Sequence, residues 1–241
     1  YMSVPNSTSL NITGSFSVEA WVNPGSLSGS SKGIISKGGT LGTSLRLGVR
    51  ILTSGRISLL TNGSQRILSR NSSAIQPGNW THISCTFNSE TDTFKIYING
   101  ALDTSAFAAG VEPQTNSDSL FVGISGNTTP FNGKLDEVRL WNSELTSNQI
   151  SSNMRTSLGA SGGVYSGLVL SLTFQREFSS GLSSMDFSDF NNHGNFRNVS
   201  GSLNSISEVS VIGYNPENTI TLNNCIYFPG STDSYMSGKD T

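Results

Sequence analysis

The sequence carries little charge and almost no imidazole. Of its 241 residues, 14 are Lys or Arg and 16 are Asp or Glu, 12% in all with a net charge of −2, and only two are His. A nucleic acid is excluded as partner, because phosphate binding needs a concentrated basic surface and these cations are scattered. A nucleophile triad needs a His, and the two available are His82, in an alternating stretch, and His193, in a polar loop. Gly159-Ala160-Ser161-Gly162-Gly163 has the form of a nucleophile elbow. It lies in a Gly/Ser-rich stretch without the strand, turn and helix that expose such a serine, so it reads as chance. No apolar run approaches the ~20 residues of a membrane span, so insertion into a membrane is not expected. Two cysteines are too few for a disulfide framework. Cys85 shares the apolar side of its stretch with Ile83 and Phe87, which suits a buried thiol as well as a disulfide to Cys225, and both readings stay open. No signal-peptide pattern stands at Tyr1, so the chain reads as a mature or excised piece.

What the sequence has in quantity is Gly, 26 residues, with Ser, Thr and Asn, the composition of a protein with many turns. Residues Phe16 to Val22 alternate strictly, with Phe16, Val18, Ala20 and Val22 on one face, the pattern of a half-buried strand. Short strands are expected at residues 33–36, 44–49, 56–61 and 119–123. A hairpin is expected from Thr81 to Phe87 and from Thr93 to Ile98, and Asn99-Gly100 supplies a type I′ turn into Ala101-Leu102. One helix is expected within Ser143 to Met154. Residues 156–167 read as a linker, and strands follow at 168–174, 208–212 and 219–228. Seven Asn-x-Ser/Thr triplets, at Asn6, Asn11, Asn62, Asn71, Asn79, Asn127 and Asn198, are compatible with an extracellular protein.

The stretch from Phe131 to Trp141 is the most informative. Alternation puts Asp136, Val138 and Leu140 on one face and Leu135, Glu137, Arg139 and Trp141 on the other. Glu137 and Arg139 then form a surface charge pair. Asp136 begins the burying face, where a carboxylate needs hydrogen bonds or a cation.

Phe16 to Val22, Ile34 to Gly38, Trp80-Thr81-His82, Tyr97-Ile98-Asn99-Gly100 and Gly133 to Trp141, in this order and spacing, resemble the laminin-G-like, concanavalin A-like family of jelly-roll domains. The resemblance covers residues 1–155 and implies an all-β antiparallel jelly-roll sandwich outside the cell. The segment 168–241, with Leu168 to Phe174, Asp186 to Gly194 and Ile226 to Gly230 before Tyr235-Met236-Ser237, looks like the start of another such unit. Three arrangements fit: the segment closes its own sandwich, begins a second domain of a tandem array, or completes a neighbouring copy. The last makes Ile220, Leu222, Ile226, Phe228 and Tyr235 an assembly segment and the chain a subunit of a head-to-tail polymer.

The resemblance also implies candidate sites. In related jelly rolls an Asp at the place of Asp136 helps hold a structural Ca²⁺, and Asp186, Asp189 and Asn192 lie in a loop similar to a family loop, with Asp189 where Gly is usual. Hydrogen bonding to loop amides is the competing reading at Asp136, and a solvated turn the favoured one in the loop. Trp21, Tyr97 and Trp141 fall on the polar strand face, where a sugar-stacking platform would lie; packing under loops is the favoured alternative. Jelly-roll glycosidases need two carboxylates facing one another, whereas Asp136 and Glu137 are neighbours in a strand, and no Glu-x-Asp-x-x-Glu strand occurs. The expected function is a non-enzymatic surface module, structural and adhesive, with copies of itself as partners. The alternative is a carbohydrate-binding module with surface glycans as partners, and a glycoside hydrolase comes third.

Overall fold

The computed structural model describes residues 1–39, 45–125, 129–156, 158, 165–174, 183–196 and 226–228. Its strands, in chain order, are β1 Met2–Val4, β2 Phe16–Pro24, β3 Lys32–Lys37, β4 Leu47–Ile51, β5 Ile57–Thr61, β6 Ser64–Leu68, β7 Thr81–Asn88, β8 Thr93–Ile98, β9 Ala101–Phe107, β10 Leu120–Val122, β11 Ile124–Ser125, β12 Thr129–Pro130, β13 Gly133–Trp141, β14 Leu168–Leu172, β15 Ser183–Ser184, β16 Gly194–Phe196 and β17 Ile226–Phe228. Among the described residues one α-helix, α1, spans Ser147–Asn153.

Two antiparallel sheets make the sandwich. One runs β15-β16-β1-β10-β3-β4-β5-β6; the other runs β14-β13-β2-β7-β8-β9, with β17 also paired to β13. Period-2 alternation turns one face of each sheet inward. From the second sheet come Val18, Ala20 and Val22 of β2, Ile83, Cys85 and Phe87 of β7, and Phe94 and Ile96 of β8. From the first come Val122, Ile35, Val49, Leu59 and Ile67. Phe87 and Phe94 stack at 4.4 Å between ring centroids. Burying each such side chain contributes about 1.5–3 kcal/mol, which makes this layer the main source of stability. Cys85 is a free buried thiol, and burial raises its pKa. Cys225 lies outside the described residues.

Turn chemistry sets the register. Asn99 and Gly100 take φ of 49° and 80°, the two left-handed residues of the expected type I′ turn. Asn62-Gly63 makes the same turn (φ 47° and 76°) between β5 and β6, a hairpin that the sequence reading passed over. The helix lies within the expected Ser143 to Met154. Thr146 caps it, accepting from Gln149 N while the Gln149 side chain accepts from Thr146 N. The residues before it instead cross the sheet, where Ser17 Oγ donates to Ser143 O and accepts from Leu145 N.

The stretch 156–167 is not a free linker throughout. Leu158 is buried in a second apolar cluster with Tyr97, Trp141, Leu145, Ile150 and Leu168, and Ser171 Oγ donates to its carbonyl. Downstream, β14 pairs with β13, β16 with β1, and β17 with Gly133–Leu135. Ile226 and Phe228 of the expected assembly segment thus stand in β17. Ile220, Leu222, Tyr235 and the strand expected at 208–212 lie outside the described residues, as does Gly159 to Gly163.

Gly133 opens β13 with φ of 139°, and a methyl group there would meet the Asn23 carbonyl and the Pro24 backbone of β2. Gly133→Ala is expected to destabilise the fold by about 2–4 kcal/mol, because strain and collision add. Urea unfolding measures it, and a change under 1 kcal/mol would contradict the close approach of β13 and β2.

Candidate functional site

The central strand β13 does not keep strict alternation. Asp136 lies opposite Trp21 and Arg139 opposite Glu19, so three residues of β13 span two of β2. The extra residue is Glu137, with φ of 49°. This bulge corrects the expected faces. Leu135, not Asp136, joins Val138 and Leu140 in the core, and Asp136 falls on the outer face with Arg139 and Trp141.

That outer face is covered by α1 and the chain after it. Trp21 Nε1 donates to Met154 O at 3.1 Å, and Trp141 Nε1 to Glu19 Oε2 at 3.0 Å. Trp21, Tyr97 and Trp141 are all buried. They pack beneath loops and helix, so the platform expected from them is closed to a sugar. The Glu137–Arg139 pair exists, at 2.6 Å, but it is interior and not on the surface. Arg139 Nη1 also donates to Asn153 O at 2.9 Å and Nη2 to Thr156 O at 2.5 Å, which ties the end of α1 to the sheet.

Two carboxyl groups thus face one guanidinium, Glu137 at 2.6 Å and Glu19 at 3.9 Å, and Asp136 is buried on the same side of the sheet; Glu19 is 0% exposed, Asp136 5% and Glu137 2%. Burial raises the pKa of Glu19, against the pull of Arg139 3.9 Å away. Burial and then the neighbouring Glu137 hold Asp136 well above the usual carboxylate range, although its Oδ1 accepts from Glu137 N at 2.7 Å. His82 Nε2 lies 3.9 Å from Glu19 Oε1, and burial followed by Arg139 lowers the imidazole pKa to about 3, so it is neutral.

The second metal candidate is a closed hydrogen-bonded loop. Asp186 Oδ1 accepts from Ser171 N and Ser188 N, at 2.7 and 2.9 Å. Its Oδ2 accepts from Ser188 Oγ and Asn192 N, at 2.6 and 2.7 Å. Asn192 Nδ2 donates to Val169 O at 2.7 Å, while Asp189 points to solvent. Both Asp186 oxygens face donors, whereas calcium requires converging oxygen acceptors. Asp136 Oδ1 for its part accepts from Glu137 N. Among the described residues no three His, Cys, Asp or Glu converge as metal ligands. Asp186, with both oxygens given to donors of its own surroundings, therefore does not fit the calcium site that the resemblance implied.

What remains open is the far end of the same sheet. Phe107, at the end of β9, is 73% exposed, and Leu102 is 56% exposed. Lys95 Nζ donates to Glu144 Oε1 at 2.8 Å, and Asn88 Nδ2 to Glu144 Oε2 at 2.6 Å. None of these was singled out from the sequence. Simple alternation would not have found them: Ala101 pairs with the inward Ile98, which would turn Ser105 and Phe107 to the core, and a register shift that opposes Tyr97 to Leu102 but Ile96 to Thr104 turns them outward instead.

Residues 1–151 match Laminin_G_3, the concanavalin A-like lectin/glucanases superfamily. No curated protein matches the chain. Among solved structures, a candidate carbohydrate-binding protein from Bacteroides ovatus ATCC 8483 superposes with a TM-score of 0.65 at 23% identity, over 80% of this chain and 55% of that one. The binding domain of Paraclostridial Mosquitocidal Protein 1 superposes with a TM-score of 0.50 at 16% identity, over 62% of this chain and 39% of that one. At such identities the likeness is one of fold. The chain spans about half the length of the Bacteroides protein, 55%.

The buried imidazole has a measurable consequence. The unfolded chain takes up the His82 proton near the ordinary value of 6.5, but the folded chain only near 3. Between these values the unfolded state binds more protons, so stability contributed by neutral His82 is complete above 6.5 and is lost as pH falls, by up to ~1.4 kcal/mol per pH unit. Urea unfolding of the wild type and His82→Gln at pH 4.5 and 7.5 should show the variant losing less stability on acidification. Equal losses would mean that His82 is solvated.

Proposed function

The chain belongs to the concanavalin A-like lectin/glucanase superfamily, and from that premise we propose that it is an extracellular, non-catalytic carbohydrate-binding module. The superfamily's name spans binding and hydrolysis, so the choice rests on where the carboxyl groups are. Hydrolysis needs two of them flanking the glycosidic bond, roughly 5–9.5 Å apart and open to a sugar and a water. Here the clustered carboxyl groups Glu19, Asp136 and Glu137 are buried in the protein, and this single observation carries the reading. The fold likeness to a candidate carbohydrate-binding protein supports it. Among the described residues no helix is long and apolar enough to cross a membrane, and the Asn-x-Ser/Thr triplets suit a secreted chain.

A second reading, a structural and adhesive unit that assembles head to tail, is favoured by one feature. β17 adds to the edge of β13 at Gly133–Leu135, a position that a strand from another copy could fill with the same main-chain hydrogen bonds. In that arrangement the module presents many copies of its sugar site along a polymer.

The module reading is tested on an array of immobilised plant, microbial and animal glycans, with chromatography of the same glycans after incubation. Retention on one glycan class without released product is expected, and silence across the array, or cleavage, would sink it. Light scattering of the full chain beside a chain lacking residues 226–241 tests assembly. Oligomers that vanish on deletion are expected of a polymer subunit, and a monomer in both cases removes that reading.

A further inference from the structure

The covered face of the seven-stranded sheet opens beyond Glu144. Strand register places Asn88 of β7, Thr93 of β8 and Phe107 of β9 opposite one another, with Lys95 and Ser105 in the next row. Inward neighbours fix which way these side chains turn: Phe87 and Phe94 are in the core and Ala106 packs against it. Phe107 is the most exposed large apolar side chain among the described residues. A solitary exposed apolar residue needs no explanation. This one is not solitary in its chemistry, because Lys95, 31% exposed, stands in the adjoining row and holds Glu144, 18% exposed, from the segment before α1. Glu144 is held by both Lys95 and Asn88, and Asn88 is itself fixed by accepting from Glu90 N and Thr91 N at 2.9 Å.

We propose that this corner of β8 and β9 is the saccharide site, in which the Phe107 ring stacks on the C–H face of a neutral pyranose while Lys95 donates to and Glu144 accepts from its hydroxyls. The assignment rests on the reading of the chain as a carbohydrate-binding module. A pyranose has an apolar face and a rim of hydroxyls, and the corner has an aromatic face beside one donor and one acceptor already held in place. Prior ordering of the pair lowers the entropy lost on binding. The charges of Lys95 and Glu144 cancel, so an anionic sugar gains nothing from the corner that a neutral one does not.

Calorimetric titration of the full chain with cellohexaose, xylohexaose and 3′-sialyllactose, at 50 and 500 mM NaCl, tests this. A neutral hexasaccharide should bind with an affinity that salt leaves within twofold. Phe107→Ala should weaken it at least tenfold and Phe107→Trp should retain it. Because the ring lies in water, Phe107→Ala should melt within about 2 °C of the wild type, which separates a lost site from a lost fold. Saccharide binding that survives Phe107→Ala would overturn the site while leaving the module reading intact. Binding of the sialylated sugar alone, weakened by salt, would overturn its neutral character. An oligomer that dissociates on Phe107→Ala would make the corner an interface between copies instead. A chain silent on the glycan array loses the module reading and this site with it.

Discussion

The Arg139 guanidinium is the group on which the outer half of this structure depends. It stands on β13, pairs with Glu137, approaches Glu19 of β2 and donates to the carbonyls of Asn153 and Thr156. A buried ion pair is weak evidence for stability, since desolvation offsets most of the attraction. Its directionality matters more here. Two donors aimed at the end of α1 fix where the helix lies on the sheet. That placement buries Trp21, Tyr97 and Trp141 and forms the second apolar cluster. It also decides which part of the sheet stays wet.

The bulge at Glu137 makes that arrangement possible. In an uninterrupted strand, Asp136 would lie in the main core and Leu135 outside it. One inserted residue exchanges them, so the core gains a leucine and the carboxyl moves to the face that carries Arg139. Burying a carboxylate is costly without partners. Asp136 and Glu19 meet that cost partly by holding their protons, as their raised pKa values indicate. The same concentration of acid groups that would suit glycosidase chemistry in a cleft is here an interior network.

Elements whose signals are local were legible in the sequence. The alternation of β2, β7 and β8 and the Asn99-Gly100 turn gave strands and register, and Cys85 beside Ile83 and Phe87 read correctly as core. The amide-bonded reading belongs to Asp136, which accepts from Glu137 N, while Asp186, read as part of a solvated turn, is instead buried and bonded to the amides of Ser171, Ser188 and Asn192. The misses have a common cause. Nothing in Leu135-Asp136-Glu137-Val138 marks a bulge, because its positive φ is imposed by pairing on both sides and not by a glycine. Nor does an alternating polar face reveal that a helix will land on it. Glu137 and Arg139 looked solvated for that reason, and Leu158 looked like linker. Asn62-Gly63 is different, since the same turn rule applied there would have found it, whereas Phe107 is turned outward by a second unsignalled irregularity, the register shift opposite Ile96 and Tyr97.

The buried and exposed aromatics of this sheet face answer to different physics. Trp21 and Trp141 each carry a hydrogen bond from the indole nitrogen and bury a large apolar area, so their identity is explained by stability alone. Phe107 explains nothing about stability. It caps no helix and keeps most of its ring in water, where an apolar side chain contributes nothing favourable. Stability gives no reason for an aromatic at that position, while β9 would form as readily with threonine there. A residue that the fold does not require, standing beside a donor and an acceptor that the fold has already ordered, is where binding can be changed without changing the structure. On this sheet that separation runs along the boundary of α1, with the groups that hold the protein together beneath the helix and the groups free to meet a ligand beyond its end.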